Sequence, residues 1–167
     1  MNTIPRLVLE IPADLEGFFR TDIPVILSKL TGDEKANWGI MTVHHMLEHL
    51  VLPLKFVTRE VNPPLFTPIE RLERMHTFLL SDYALSQNFK IPLLPEESTV
   101  PLETPDIYEA REKLLSKINE FLDIVLEENF TPIQHPIFGM LNSREWLLFQ
   151  YKHFHHHLSQ FGLLSAN

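Results

Sequence analysis

The chain has 167 residues, 44% of them hydrophobic and 22% charged, with 14 Lys and Arg against 22 Asp and Glu for a formal net charge of −8. That length suits a single domain over residues 1–167 with a core of its own, and the acidic balance argues against nucleic acid and anionic membranes, which call for basic patches. Cysteine is absent, no apolar run approaches the ~20 residues of a membrane span, and the N-terminus lacks a secretory pattern; a soluble cytoplasmic protein without disulfides or thiolate ligands is expected.

The first predicted element is helical. In "DLEGFFRTDIPVILSKLTG", Leu15, Phe18, Phe19, Ile23, Ile26, Leu27 and Leu30 recur mostly at spacings of three and four. Thr31-Gly32 supplies a stop, and Pro24 demands a kink or a late start. The second helix, in "MTVHHMLEHLVLPLKFV", starts at the N-cap Thr42 and lines up Val43, Met46, Leu47, Leu50 and Leu54. His44, Glu48 and Lys55 then share a side that reads as solvated. Prolines 53, 63, 64 and 68 cluster near its end, and 92, 95, 101 and 105 form a second cluster; neither spacing belongs inside a long helix.

A shorter helix follows in the connection, with Thr67 as N-cap, Pro68 at the first helical position and Glu70 completing a capping box. The third long helix places Ile107, Leu114, Leu115, Ile118, Leu122 and Val125 on one face. The fourth opens at the N-cap Asn142, with Glu145 three residues on, and stops at Gly162. No alternating strand pattern is evident. The expected fold is all-α: a four-helix bundle with a short extra helix between the second and third.

The fourth helix contains "YKHFHHHLSQ", residues 151–160. A purification tag would be an uninterrupted terminal run, whereas this stretch continues a helical pattern through Phe154, Leu158 and Phe161. At about 100° per residue, Trp146, Gln150, His153, His157 and Gln160 share one stripe. Lys152, His155 and Ser159 fall on the far, polar side. Residues i and i+4 stack on one helical face, so His153 and His157 can converge on one metal ion at about 2.0–2.1 Å. A pair alone equally fits a helix whose histidines are satisfied by hydrogen bonds. On the second helix His49 lies among large apolar residues, with His45, Leu52 and Phe56 on its side; a histidine there needs a partner. A third imidazole from that helix would complete a His₃ set with one open position, the arrangement of a catalytic metal site.

Two stretches resemble the DinB/YfiT-like superfamily of metalloenzymes, in its branch of small uncharacterised domains. One is "LSKLTGDEKANWGIMTVHHMLEHL"; the other is "HPIFGMLNSREWLLFQYKHFHHHLSQFG". Residues 60–104 carry no recognised motif. The resemblance implies an up-down-down-up bundle, often a homodimer, and a divalent metal on His49, His153 and His157. His156 fits the superfamily's additional histidine beside the last ligand, in a role toward the ligands or the substrate. Gln160 fits its glutamine one turn on, and His45 stands where glutamine is common. His44, His76 and His135 read as structural or surface residues, with His135 shaping the turn before Pro136.

Such a site, loaded with Zn or Ni, would serve a thiol-dependent S-transferase or a hydrolase acting on a small molecule. A low-molecular-weight thiol would be a cosubstrate, because the chain has no thiol of its own. The alternative is a non-enzymatic metal-binding or interaction bundle with a structural metal, His45 or His156 supplying a fourth ligand.

Overall fold

The computed structural model of the chain describes residues 7–87 and 100–164. It is mostly helical, in the order α1 (Leu15–Gly17), a π-helical turn (Phe18–Asp22), α2 (Ile23–Ser28), α3 (Val43–Val57), α4 (Ile69–Leu80), α5 (Ile107–Val125), β1 (Ile133–His135), β2 (Gly139–Leu141) and α6 (Ser143–Gln160). The two strands form an antiparallel hairpin pairing Ile133 with Leu141 and His135 with Gly139. This hairpin corrects the expectation of no strands: three-residue strands are too short for alternation to register.

The first three helical pieces run on from one another. The Ile23 N–H bonds the carbonyl of Phe18, five residues back. Proline lacks an N–H and clashes with the carbonyl four residues before it, so Pro24 is accommodated by the wider π turn that precedes it. Helix α3 runs through Pro53 to Val57, carrying its apolar stripe to Leu54 as expected, and Pro63, Pro64 and Pro68 lie beyond its end. One interior proline costs one hydrogen bond, and the buried Leu50, Val51, Leu54 and Val57 hold both sides of it in the core. From the second cluster, Pro92 and Pro95 lie outside the described residues.

Local capping explains where two helices begin. The Thr42 side chain accepts from the His45 N–H. At α6 Asn142 accepts from the Glu145 N–H at 3.0 Å while Glu145 accepts from the Asn142 N–H at 2.8 Å, the reciprocal box expected from the sequence. Helix α4 departs from expectation: Pro68 is its N-cap, without a side-chain cap, and the Thr67 hydroxyl donates to the Ile137 carbonyl at 2.8 Å.

Helix α6 touches α1, α3, α4, α5 and β2, and every residue from Trp146 to His155 is buried. Its far side is therefore not the polar surface expected for Lys152, His155 and Ser159. The 7–10 segment and the 78–85 segment cover it. Leu9 N–H donates to Asp82 O at 2.7 Å and Ala84 N–H to Leu7 O at 2.8 Å, joining the two segments. Tyr151 Oη then donates to Glu10 O at 3.0 Å, and the Lys152 ammonium donates to the carbonyls of Ser81, Tyr83 and Phe78 at 2.5, 2.9 and 3.4 Å.

Similarly, the side of α3 read as solvated is covered by the 103–104 segment. Glu48 accepts from the backbone N–H groups of Glu103 and Thr104 and from the Thr104 hydroxyl, and His44 Nε2 meets that hydroxyl at 2.8 Å. No helix among the described residues is long and apolar enough to cross a membrane.

Candidate metal centre

Helices α3 and α6 face each other where α3 presents His49 and α6 presents His153 and His157. Each offers a ring nitrogen, and the three nitrogens lie within 4.8 Å of one another. Ring centroids are 5.0 Å apart for His49–His153, 4.6 Å for His49–His157 and 4.8 Å for His153–His157. His49 Nε2 and His153 Nε2 stand 3.0 Å apart. Tetrahedral coordination at about 2.0–2.1 Å separates two ligand nitrogens by about 3.3 Å, so a small adjustment admits a metal. The three histidines expected from the sequence lie together here.

The electrostatics favour neutral ligands. Burial lowers the His49 pKa to about 4, helped by the positive charge that His156 would carry. Burial, and then the positive charge that neighbouring histidines would carry (His157 and His49 for His153, His49 and His156 for His157), hold His153 and His157 well below the usual imidazole range. Uncharged imidazoles keep the lone pairs that a divalent ion needs.

His157 is oriented for this task. Its Nδ1 lies 3.0 Å from Gln160 Oε1, and Gln160 Nε2 donates to the Trp38 carbonyl at 2.9 Å. With Nε2 of the glutamine donating, its oxygen accepts from Nδ1–H, which leaves His157 Nε2 with a free lone pair. The 37–39 loop is fastened to the same helix end, Asn37 N–H donating to Gln160 O at 2.7 Å. Gly39 has φ +75°, and a Cβ there would stand 3.0 Å from the Gln160 amide; both conformation and approach require glycine.

The other histidines separate from the three. His45 has both ring nitrogens engaged, Nδ1 with the Thr42 hydroxyl at 2.7 Å and Nε2 with the Val100 carbonyl at 3.1 Å. His156 stands beside His157, with ring centroids 4.8 Å apart, and edge-on to Trp38 at 6.0 Å; its Nδ1 faces the Leu85 carbonyl at 3.4 Å. His155 is buried near Ser159 and Tyr151. His76 pairs with Glu145 at 2.9 Å. His135 is fully buried, and its Nδ1 accepts from the Ile137 and Phe138 N–H groups at 3.0 and 3.3 Å, so the turn it shapes is the one after it, between β1 and β2, and not one before Pro136.

The sequence reading missed the environment of Lys152. Its signal was the ring of aromatic residues on α6, with Trp146, Phe149, Tyr151 and Phe154 pointing several ways, which marks a helix buried all round. Gln150 was placed on the histidine stripe without a role.

Searches against protein-family models, curated proteins and solved structures found no match to this chain.

Proposed function

We propose that the chain is a metal-dependent enzyme of DinB/YfiT-like type, a four-helix bundle whose His49, His153 and His157 hold one divalent ion, Zn or Ni. The observation that carries this reading is the convergence of three imidazoles from two helices, His153 and His157 buried and His49 partly buried, with ring nitrogens within 4.8 Å of one another. An ion held with an open position supplies Lewis acidity and lowers the pKa of a coordinated water to about 7. The protein's own part is to keep the imidazoles unprotonated by burial and to fix the His157 ring through Gln160 and the Trp38 carbonyl. His156 stands beside the ligands as the nearest further titratable group toward substrate.

The reaction class we assign is thiol-dependent S-transfer or hydrolysis on a small molecule, in a cytoplasmic homodimer. A low-molecular-weight thiol would be the cosubstrate in the first case. A four-coordinate structural metal would need His45 or His156 as an additional ligand. Both nitrogens of His45 are engaged elsewhere, which speaks against it as a fourth ligand; His156 meets Leu85 through Nδ1 alone, so its Nε2 is the remaining candidate for a closed site. Metal-loaded protein is to be screened with small thiols and electrophiles, and with ester and amide substrates, before and after chelation. Chelator-sensitive turnover in either screen supports an enzyme; fully occupied protein inert in both supports the structural alternative.

A further inference from the structure

Five buried side-chain atoms lack a hydrogen-bond partner among the described residues: Trp38 Nε1, His135 Nε2, Gln150 Nε2, Gln150 Oε1 and His153 Nδ1. Native proteins satisfy most buried polar atoms. Gln150 is fully buried and has both ends of its amide unpaired. It lies one helical turn before His153 on the stripe that faces α3. An apolar side chain of the same shape would fit that place without loss, so the amide asks for an explanation.

The requirement becomes obligatory when a metal is bound. Without one, His49 Nε2 and His153 Nε2 are 3.0 Å apart and share a hydrogen bond, one ring donating to the other. A metal bound through both nitrogens removes that proton. A neutral His153 ligating through Nε2 must then carry its proton on Nδ1, and the buried Nδ1–H needs an acceptor. Trp38 Nε1 is a donor. His135 Nε2 is also a donor, because His135 Nδ1 already accepts two backbone N–H groups. Among the five unpaired atoms, Gln150 Oε1 is the one remaining acceptor.

We infer that Gln150 is a positioning residue for the metal, its Oε1 accepting the His153 Nδ1–H as Gln160 Oε1 accepts the His157 Nδ1–H. This rests on the three-histidine metal reading. In the metal-free protein the Gln150 amide is a buried polar group waiting for its partner, a cost in stability held in reserve for the loaded state.

The consequence is a crossed pattern that ordinary packing does not produce. Gln150→Met keeps the shape and removes the unpaired amide. It should raise the Tm of metal-free protein and weaken Zn²⁺ affinity about 10-fold or more, the range for losing an outer partner of a ligating histidine. Gln150→Glu should do the reverse: a lower metal-free Tm, because a carboxylate is buried unpaired, and Zn²⁺ affinity at or above wild type, because a carboxylate is the better acceptor. The experiment measures Zn²⁺ affinity by competition with a chromophoric chelator and metal-free Tm by calorimetry, for wild type and both variants. Opposite signs in the two variants support the inference. Equal Zn²⁺ affinity in all three proteins, or a Gln150→Met protein that loses metal-free stability, overturns the role of Gln150 and leaves the three-histidine site standing. Wild-type protein that binds neither Zn²⁺ nor Ni²⁺ overturns both.

Discussion

Helix α6 buries polar groups on two opposite sides, and the two sides treat them differently. On one, the Lys152 ammonium meets three backbone carbonyls and lies 5.4 Å from the Phe78 ring centroid. On the other, His49 and His153 have mainly each other, and among the described residues His153 Nδ1 and the Gln150 amide have no partner. Burial without partners is costly. A polar group buried for architecture is matched by the chain itself, as Lys152 is. A polar group buried with its lone pair unclaimed, as at the proposed metal site, is one that a bound ion would match.

Acid should separate the two sides most. Burial holds His135 at about 3 and His49 at about 4, against about 6.5 in an unfolded chain. Below pH 6.5 the unfolded state therefore binds protons that the native state refuses, and stability falls with pH until the native values are reached. Between pH 7 and pH 5 each of these two residues should cost about 2 kcal/mol, with His153 and His157 adding in the same direction. Urea titration of metal-free protein at the two pH values checks this; equal midpoints would contradict it. Lys152 contributes nothing there, since burial brings its ammonium down only to about 8, with Asp82 opposing the shift.

Lys152→Met is the complementary test on the architectural side. It leaves the carbonyls of Phe78, Ser81 and Tyr83 without their ammonium donor, and should destabilise the protein by about 3 kcal/mol while leaving metal stoichiometry intact. Calorimetry with elemental analysis reads both. Adding Zn²⁺ at about 100 times its Kd should stabilise wild type by about 2.7 kcal/mol and His157→Ala hardly at all, as thermal shifts would show. Gln160→Ala, which frees the His157 ring and leaves the Trp38 carbonyl without its amide donor, should weaken Zn²⁺ binding about 10-fold and lower the metal-free Tm as well.

The ligand side was the more legible of the two in the sequence. His153 and His157 follow from a four-residue spacing, and the caps at Thr42 and Asn142 follow from local chemistry, so neither needs tertiary information. His49 required only that its apolar neighbours be recognised as a core face. The architectural side depends on segments remote in sequence. Lys152 and His155 read as surface because nothing local announces that residues 7–10 and 78–85 pass over them. Glu48 read as solvated because its donors come from residues 103 and 104.

The most direct measurement is the metal content of untagged protein purified without a nickel column, by elemental analysis, for wild type and for His49→Ala, His153→Ala, His157→Ala and His155→Ala. One Zn or Ni per wild-type chain is expected, near zero in each of the first three variants, and wild-type content in His155→Ala, which changes the opposite side of the same helix. Metal lost equally from His155→Ala and His157→Ala, or a wild-type protein that takes up no metal when supplied with it, would contradict the three-histidine site.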